Sequence, residues 1–326
     1  MFLINMRIID LHCDTILRCY TEAKTLRNYQ GHISLDKLQT GECLAQCFAL
    51  FIPTYDSGRE FFGVERDPWE VYHALLKCYR ENMADCADTI RPVLTAKDIH
   101  TNSDSGFISS ILTVEDSVEI DGQLGRLDEL YRDGVRMITL TWNYENSVGF
   151  PNSEDPEAHL SKGLKPFGFQ VLERMNELGM IVDVSHLSEA GFYDVAQHSK
   201  KPFAASHSCC RALKDHPRNL TDDQLRTLGD SGGVIGINFY DVFLGSKDGF
   251  TAIEDIVRHL VYAKNKAGIE SVALGSDMDG IESVLEFSDY SGYPHLLAAM
   301  ENKFTADEID KISSGNFLRV FAAQNG

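Results

Sequence analysis

Residues 180–208, MIVDVSHLSEAGFYDVAQHSKKPFAASHS, carry the pattern that decides the fold. The β-branched run 180–184 stops at Ser185-His186. The amphipathic stretch 188–199 then opens on Ser188-Glu189, a pair suited to a helix N-terminus. A second apolar run, 203–206, stops at His207-Ser208. Strand, helix and strand at this spacing form a βα unit whose helix returns the chain for a parallel second strand. The alternation continues in both directions. Strands are expected over 7–11, 45–52, 108–114, 136–141, 180–184, 203–206, 233–239 and 271–275, with helices over 68–88, 123–133, 166–178, 188–199, 221–230, 250–267 and 305–323. Eight strands with intervening helices predict an α/β fold, a (β/α)8 TIM barrel, ahead of a doubly wound open sheet. No GxGxxG follows the first strand and no GxxxxGK[ST] occurs, so both nucleotide-binding readings lose support. Without a fixed-period repeat, low-complexity tract or Pro/Ser-rich linker, residues 1–326 read as one barrel domain. The polar stretches 55–67 and 145–165 read as loop insertions.

Of the 326 residues, 43% are hydrophobic and 24% charged, enough to bury a large core. Thirty basic against 49 acidic residues, a formal −19, exclude an electrostatic grip on nucleic acid or anionic lipid, whose phosphates would be repelled. No run approaches the ~18 apolar residues of a membrane helix, and the opening residues show no secretory signal, so a cytoplasmic protein is expected. The eight cysteines are then expected as reduced, buried thiols. Cys43-x3-Cys47 and Cys209-Cys210 lack the paired CxxC spacing of structural zinc.

In a barrel, polar residues at the C-terminal strand ends meet at one mouth. The first strand ends in Asp10-Leu11-His12-Cys13-Asp14, where alternation puts His12 and Asp14 on one side. The third ends in Glu115-Asp116, the fifth in Ser185-His186, the sixth in His207-Ser208 and the eighth in Asp277-Met278-Asp279. A lone histidine at a strand end is more often a hydrogen-bonded core or loop residue, and an aspartate there is more often a helix cap. That explanation has to be invoked separately at five strand ends. Read together, three histidines (His12, His186, His207) and three carboxylates (Asp14, Glu115, Asp277) are an imidazole–carboxylate inventory suited to zinc or a similar ion. An ion takes about four ligands, so the supply reaches two ions, with a carboxylate such as Glu115 able to bridge them. A water held between two such ions ionises near neutral pH, which makes the chain a candidate metal-dependent hydrolase.

The segments DLHCDT (10–15), VED (114–116), DVSHLS (183–188), ASHS (205–208), HPRNLTDD (216–223), GINFY (236–240), GSDMDG (275–280) and GNFLRVF (315–321) resemble, in order and over nearly the whole chain, the membrane (renal) dipeptidase family of zinc peptidases. The resemblance implies an amidohydrolase-like barrel that hydrolyses dipeptides at two Zn(2+) per chain, with acceptance of a C-terminal D-residue left open. By it, His12 and Asp14 hold one ion, His186 and His207 the other, and Glu115 bridges. It assigns proton transfer to Asp277, the substrate carboxylate to Arg218 and a substrate contact to Tyr240. Without it, Arg218 reads as a surface partner of Asp222 or Asp223. Where animal members carry a substrate-contacting histidine after the fourth strand, this chain has Trp142, which leaves Asn143 or Tyr144 as the hydrogen-bond donor on that side, or the metals alone. The expected partner is a small dipeptide, with no nucleic acid and no membrane, and a homodimer is one assembly state left open. The runner-up is a barrel amidohydrolase acting on another small amide, an N-acyl amino acid or a lactone; a non-catalytic scaffold ranks last.

Overall fold

The computed structural model of the chain describes residues 6–247 and 249–325. Eight parallel strands close into a barrel: β1 Ile8–Asp10, β2 Cys43–Phe51, β3 Ile108–Glu115, β4 Val135–Thr139, β5 Ile181–Asp183, β6 Ala204–Ser208, β7 Val234–Ile237 and β8 Val272–Leu274. Each pairs with its successor, and Asp10 of β1 pairs with Leu274 of β8, which shuts the ring and rules out the open sheet. All eight residues of β3 are buried, as expected of a strand covered by barrel interior on one face and helices on the other. Inside the barrel, Ile9, Ala45, Cys47, Ile111, Met137 and Ile181 pack with Phe317, Val320 and Phe321 of the last helix into one apolar plug. The plug occupies the interior, so chemistry is confined to the mouth.

Each strand leads into a helix: α1 Thr15–Thr21, α2 Pro68–Asp85, α3 Leu124–Asp133, α4 Pro166–Leu178, α5 Glu189–His198, α6 Asp222–Asp230, α7 Ile253–Ala267 and α8 Asn316–Asn325. The starts are chemically marked. Asp67 accepts from the N–H groups of Trp69 and Glu70, Ser188 from that of Gly191, and Thr221 forms a capping box with Gln224. Two expected helices are corrected. The stretch 250–267 opens as a strand, Phe250–Thr251, which pairs with Val284–Leu285 and ties the loop after β7 to the loop after β8. The stretch 305–323 is broken by a π-turn at Lys311–Gly315, beyond which the Asn316 amide donates to the carbonyls of Ile269 and Val272. Short helices such as Leu35–Thr40, Gly58–Phe62 and Pro156–Ser161, and an outer strand Ile90–Pro92 beside β3, escape the sequence pattern because so few residues show no period. The insertions 55–67 and 145–165 therefore each contain one helical turn or more. All eight cysteines are free and buried, and among the described residues no helix is long and apolar enough to cross a membrane.

One buried histidine gives the fold a pH dependence. His259 of α7 accepts the Cys210 N–H at Nδ1 (3.1 Å) and approaches the Leu244 carbonyl with Nε2 (3.1 Å), a pattern only the neutral Nε2–H tautomer satisfies. Burial pushes its pKa down to about 4. The unfolded imidazole binds a proton below its ordinary ~6.5 while the folded one does not, so stability is full above that pH and falls as the pH drops toward 4. Across that window the loss should reach about 3 kcal/mol for this group. Denaturant unfolding of wild type and His259→Gln between pH 7 and 4 should show the variant with the shallower decline; parallel curves would exclude the effect.

Candidate active site

The five predicted ligands and the predicted proton carrier Asp277, carried on five strand ends, converge at one place around the Glu115 carboxylate. Glu115, at the end of β3, directs Oε1 toward His186 Nε2 (3.1 Å) and His207 Nε2 (3.4 Å), and Oε2 toward His12 Nε2 (3.5 Å). His12 Nε2 also lies 3.5 Å from Asp14 Oδ2 and 3.9 Å from Asp277 Oδ1. The donor atoms of His12, Glu115 and His207 fall within 4.8 Å of one another, as do those of His12, Asp14 and Asp277. His12 Nε2 and Asp14 Oδ1 are buried with no hydrogen-bond partner. The imidazoles divide between the two oxygens of a single carboxylate, His186 and His207 at Oε1 and His12 at Oε2.

Buttresses absent from the sequence reading set which atoms point inward. Asp183 accepts the N–H groups of Ser185 and Ser206 and the hydroxyls of Thr139 and Ser206. With its proton donated there, Ser206 Oγ can only accept, and it does so from His207 Nδ1–H at 2.7 Å. His186 Nδ1 likewise meets Asn143 Oδ1 at 2.9 Å. Both rings thus present bare Nε2 atoms, 3.0 Å apart, toward the same point, and such facing lone pairs call for a cation. On the opposite wall Asp10 accepts the Ser276 N–H and hydroxyl, the Tyr293 hydroxyl and the His12 N–H. Asp10 and Asp183 lie in the DLH and DVSH segments; Asp10 accepts the N–H of His12 itself, and Asp183 those of Ser185 and Ser206, the residues just before His186 and His207.

Electrostatics agree with the geometry. Burial pushes Glu115 up to about 7 and holds His186 and His207 well below the usual imidazole range, with Arg218 and His12 adding to the effect. His12 goes the other way: burial opposes its charge, but Glu115 and Asp14 hold its pKa well above the usual value. Nitrogen and oxygen donors in this proportion suit a first-row divalent cation. The backbone is strained at the same place: His186 and Asp277, with φ of 66° and 61°, adopt the left-handed conformation uncommon for residues with a Cβ.

A cleft of about 640 Å³ opens above the cluster, lined by Asp14, Glu115, His186, Asp277, Asn143, Tyr240, Phe243 and an aromatic wall of Phe51, Phe61 and Trp142. Asp277 Oδ2 accepts from Asn238 Nδ2 at 2.8 Å, and Asn238 Oδ1 accepts the Tyr240 N–H at 2.7 Å, so the amide has one orientation and Asp277 Oδ1 is left toward the cleft. Asn238 is the residue the sequence reading missed; only its place in GINFY marked it. Asp277 is pushed up to about 6 by burial, with His12 opposing. Asp279 turns away, its carboxylate taken by the Thr15 hydroxyl and the His32 N–H.

Arg218 is 5% exposed, which corrects the surface reading; Asp222 and Asp223 pair instead with Lys266 and Arg226. Its guanidinium donates to the His207 carbonyl (3.1 Å), lies over the Phe243 ring (5.3 Å), leaves Nε unpartnered and has no carboxylate within ion-pair distance among the described residues. Asn143 stands at the lip with its carbonyl on His186, so its NH2 remains the available donor. Tyr144 is 41% exposed, packs tilted against Trp142 with ring centroids 5.6 Å apart, and does not line the cleft.

A parallel eight-stranded barrel with an imidazole–carboxylate cluster at its mouth defines a metal-dependent hydrolase. The chain matches the membrane dipeptidase family (Peptidase family M19) over residues 2–325 and belongs to this family of metallo-dipeptidases. It is 32% identical to an uncharacterized dipeptidase of Schizosaccharomyces pombe (89% of this chain, 72% of that one). A dipeptidase of Claviceps purpurea is 30% identical (90% and 69%). Its fold is that of a metallo peptidase from Rhodobacter sphaeroides solved with a phosphinate mimic of the dipeptide L-Ala-D-Ala, with a TM-score of 0.90 at 24% identity over 98% of this chain and 99% of that one.

Proposed function

We propose that the chain hydrolyses free dipeptides, L-Xaa-D-Xaa as well as L-Xaa-L-Xaa, at a centre of two zinc ions. His12 and Asp14 would hold one, His186 and His207 the other, and Glu115 both. Bound there, the ions supply an acidified water as nucleophile and positive charge opposite the developing oxyanion. The observation that carries the reading is Arg218: a buried guanidinium without a carboxylate partner, beside the donor cluster, awaits an anion from the substrate. Held there by its C-terminal carboxylate, a dipeptide places its one amide bond over Glu115. Asp277 Oδ1 accepts the proton of the attacking water and returns it to the leaving amine, while Asn238 keeps Oδ2 out of the reaction. The phosphinate dipeptide mimic bound by the Rhodobacter sphaeroides peptidase supports the inclusion of C-terminal D-residues.

Elemental analysis should approach two zinc ions per chain, and a chelator should abolish hydrolysis of an L-Ala-L-Xaa and L-Ala-D-Xaa panel until zinc is returned. One ion or fewer after reconstitution in excess zinc would refute the binuclear assignment. A metal-replete protein active on N-acyl amino acids but on no dipeptide would favour the runner-up amidohydrolase.

A further inference from the structure

A second arginine faces the cleft and has no task in the reaction described above. Arg18 sits on α1, one turn beyond Asp14, whose carbonyl accepts its N–H at 3.2 Å. In the ring of strands β1 lies across the mouth from β5 and β6, the strands that lead to His186, His207 and Arg218. Arg18 Nε donates to the Asp279 carbonyl at 2.9 Å, which fixes the side chain against the β8 loop. Its two terminal nitrogens make no hydrogen bond or ion pair with the described residues. The residue lines both the 640 Å³ cleft and a second cavity of about 440 Å³.

Nearby carboxylates are committed elsewhere or screened. Asp279 is satisfied by Thr15 and His32, and Asp14 faces His12. Asp289 pairs with Lys37, and Glu22, Glu60 and Glu282 are exposed, where water weakens their field. A half-buried, tethered guanidinium with both terminal nitrogens open is a preorganised fork for a second anion.

We propose that Arg18 is a specificity residue that reads an acidic side chain, Asp or Glu, on the N-terminal residue of the dipeptide. The inference rests on Arg218 holding the C-terminal carboxylate. With that end near β6 and the amide over Glu115, the N-terminal residue extends toward β1 and α1, where Arg18 stands.

L-Glu-L-Ala and L-Gln-L-Ala have the same shape and differ in charge, so their kcat/KM ratio reads the contact directly. Wild type should favour the Glu substrate by about 10- to 100-fold. Arg18→Met should bring the ratio near one by slowing L-Glu-L-Ala alone, with L-Gln-L-Ala hydrolysis and zinc content unchanged, and Arg18→Lys should recover part of it. A wild-type ratio near one, a ratio unchanged in Arg18→Met, or an equal loss on both substrates overturns the proposal, the last by making Arg18 a brace for the β8 loop. The reversed pair, L-Ala-L-Glu and L-Ala-L-Gln, should be indifferent to Arg18. If Arg18→Met acts on that pair instead, the substrate lies the other way round, and the Arg218 anchor falls together with the assignment of Arg18 to the N-terminal residue.

Discussion

Asp277→Asn is expected to lower kcat by about 10²–10⁴-fold, the usual worth of a positioned acid–base group, with KM and zinc content little changed. The substitution keeps the shape, because an Asn oxygen can still accept from Asn238 Nδ2 as Asp277 Oδ2 does at 2.8 Å. What it removes is the second oxygen, the one turned to the cleft. Asn238→Ala should cost roughly tenfold in kcat in the wild-type background and nothing further when combined with Asp277→Asn, because a residue that acts through Asp277 has no effect once Asp277 is disabled. Additive losses would place the work of Asn238 at the Tyr240 backbone. Near-normal kcat in Asp277→Asn would remove Asp277 from proton transfer.

Arg218→Met is expected to weaken kcat/KM for free dipeptides by roughly 2–5 kcal/mol, the cost of losing a desolvated, charge-assisted pair. Methionine fills a similar volume against Phe243, so the pocket should persist while its charge is lost. The decisive comparison sets each dipeptide against its C-terminal amide. Wild type should reject the amide, and the variant should lose most of that preference, because acid and amide then meet the same neutral wall. If the preference survives, or if wild type cleaves amides and tripeptides as readily as dipeptides, the carboxylate is read elsewhere and the dipeptide reading of this site fails.

Eight strands, their order and the residues at their ends are determined by the sequence alone, because apolar runs punctuated by polar ends are local signals. The five strand ends carry His12, Asp14, Glu115, His186, His207 and Asp277, and a barrel of either register brings such ends to one mouth. Short elements were not legible, since a helix such as Gly58–Phe62 has too few turns to show a period. Nor could the chain order show how far each polar residue is buried, so that without the family resemblance Arg218 reads as a surface partner. The rest depends on residues far apart in the chain. Ring closure joins Asp10 to Leu274, and the Asp10 carboxylate reaches Ser276. Asn238 meets Asp277, which selects Asp277 over Asp279 two residues on. Ser206 and Asp183 together orient His207, and Asn143 is turned to His186 while its neighbour Tyr144 faces solvent. Sequence thus determined which chemical groups are supplied; tertiary structure decided which atom of each faces the cleft, because a hydrogen-bond partner supplied by another strand is not written in the local pattern.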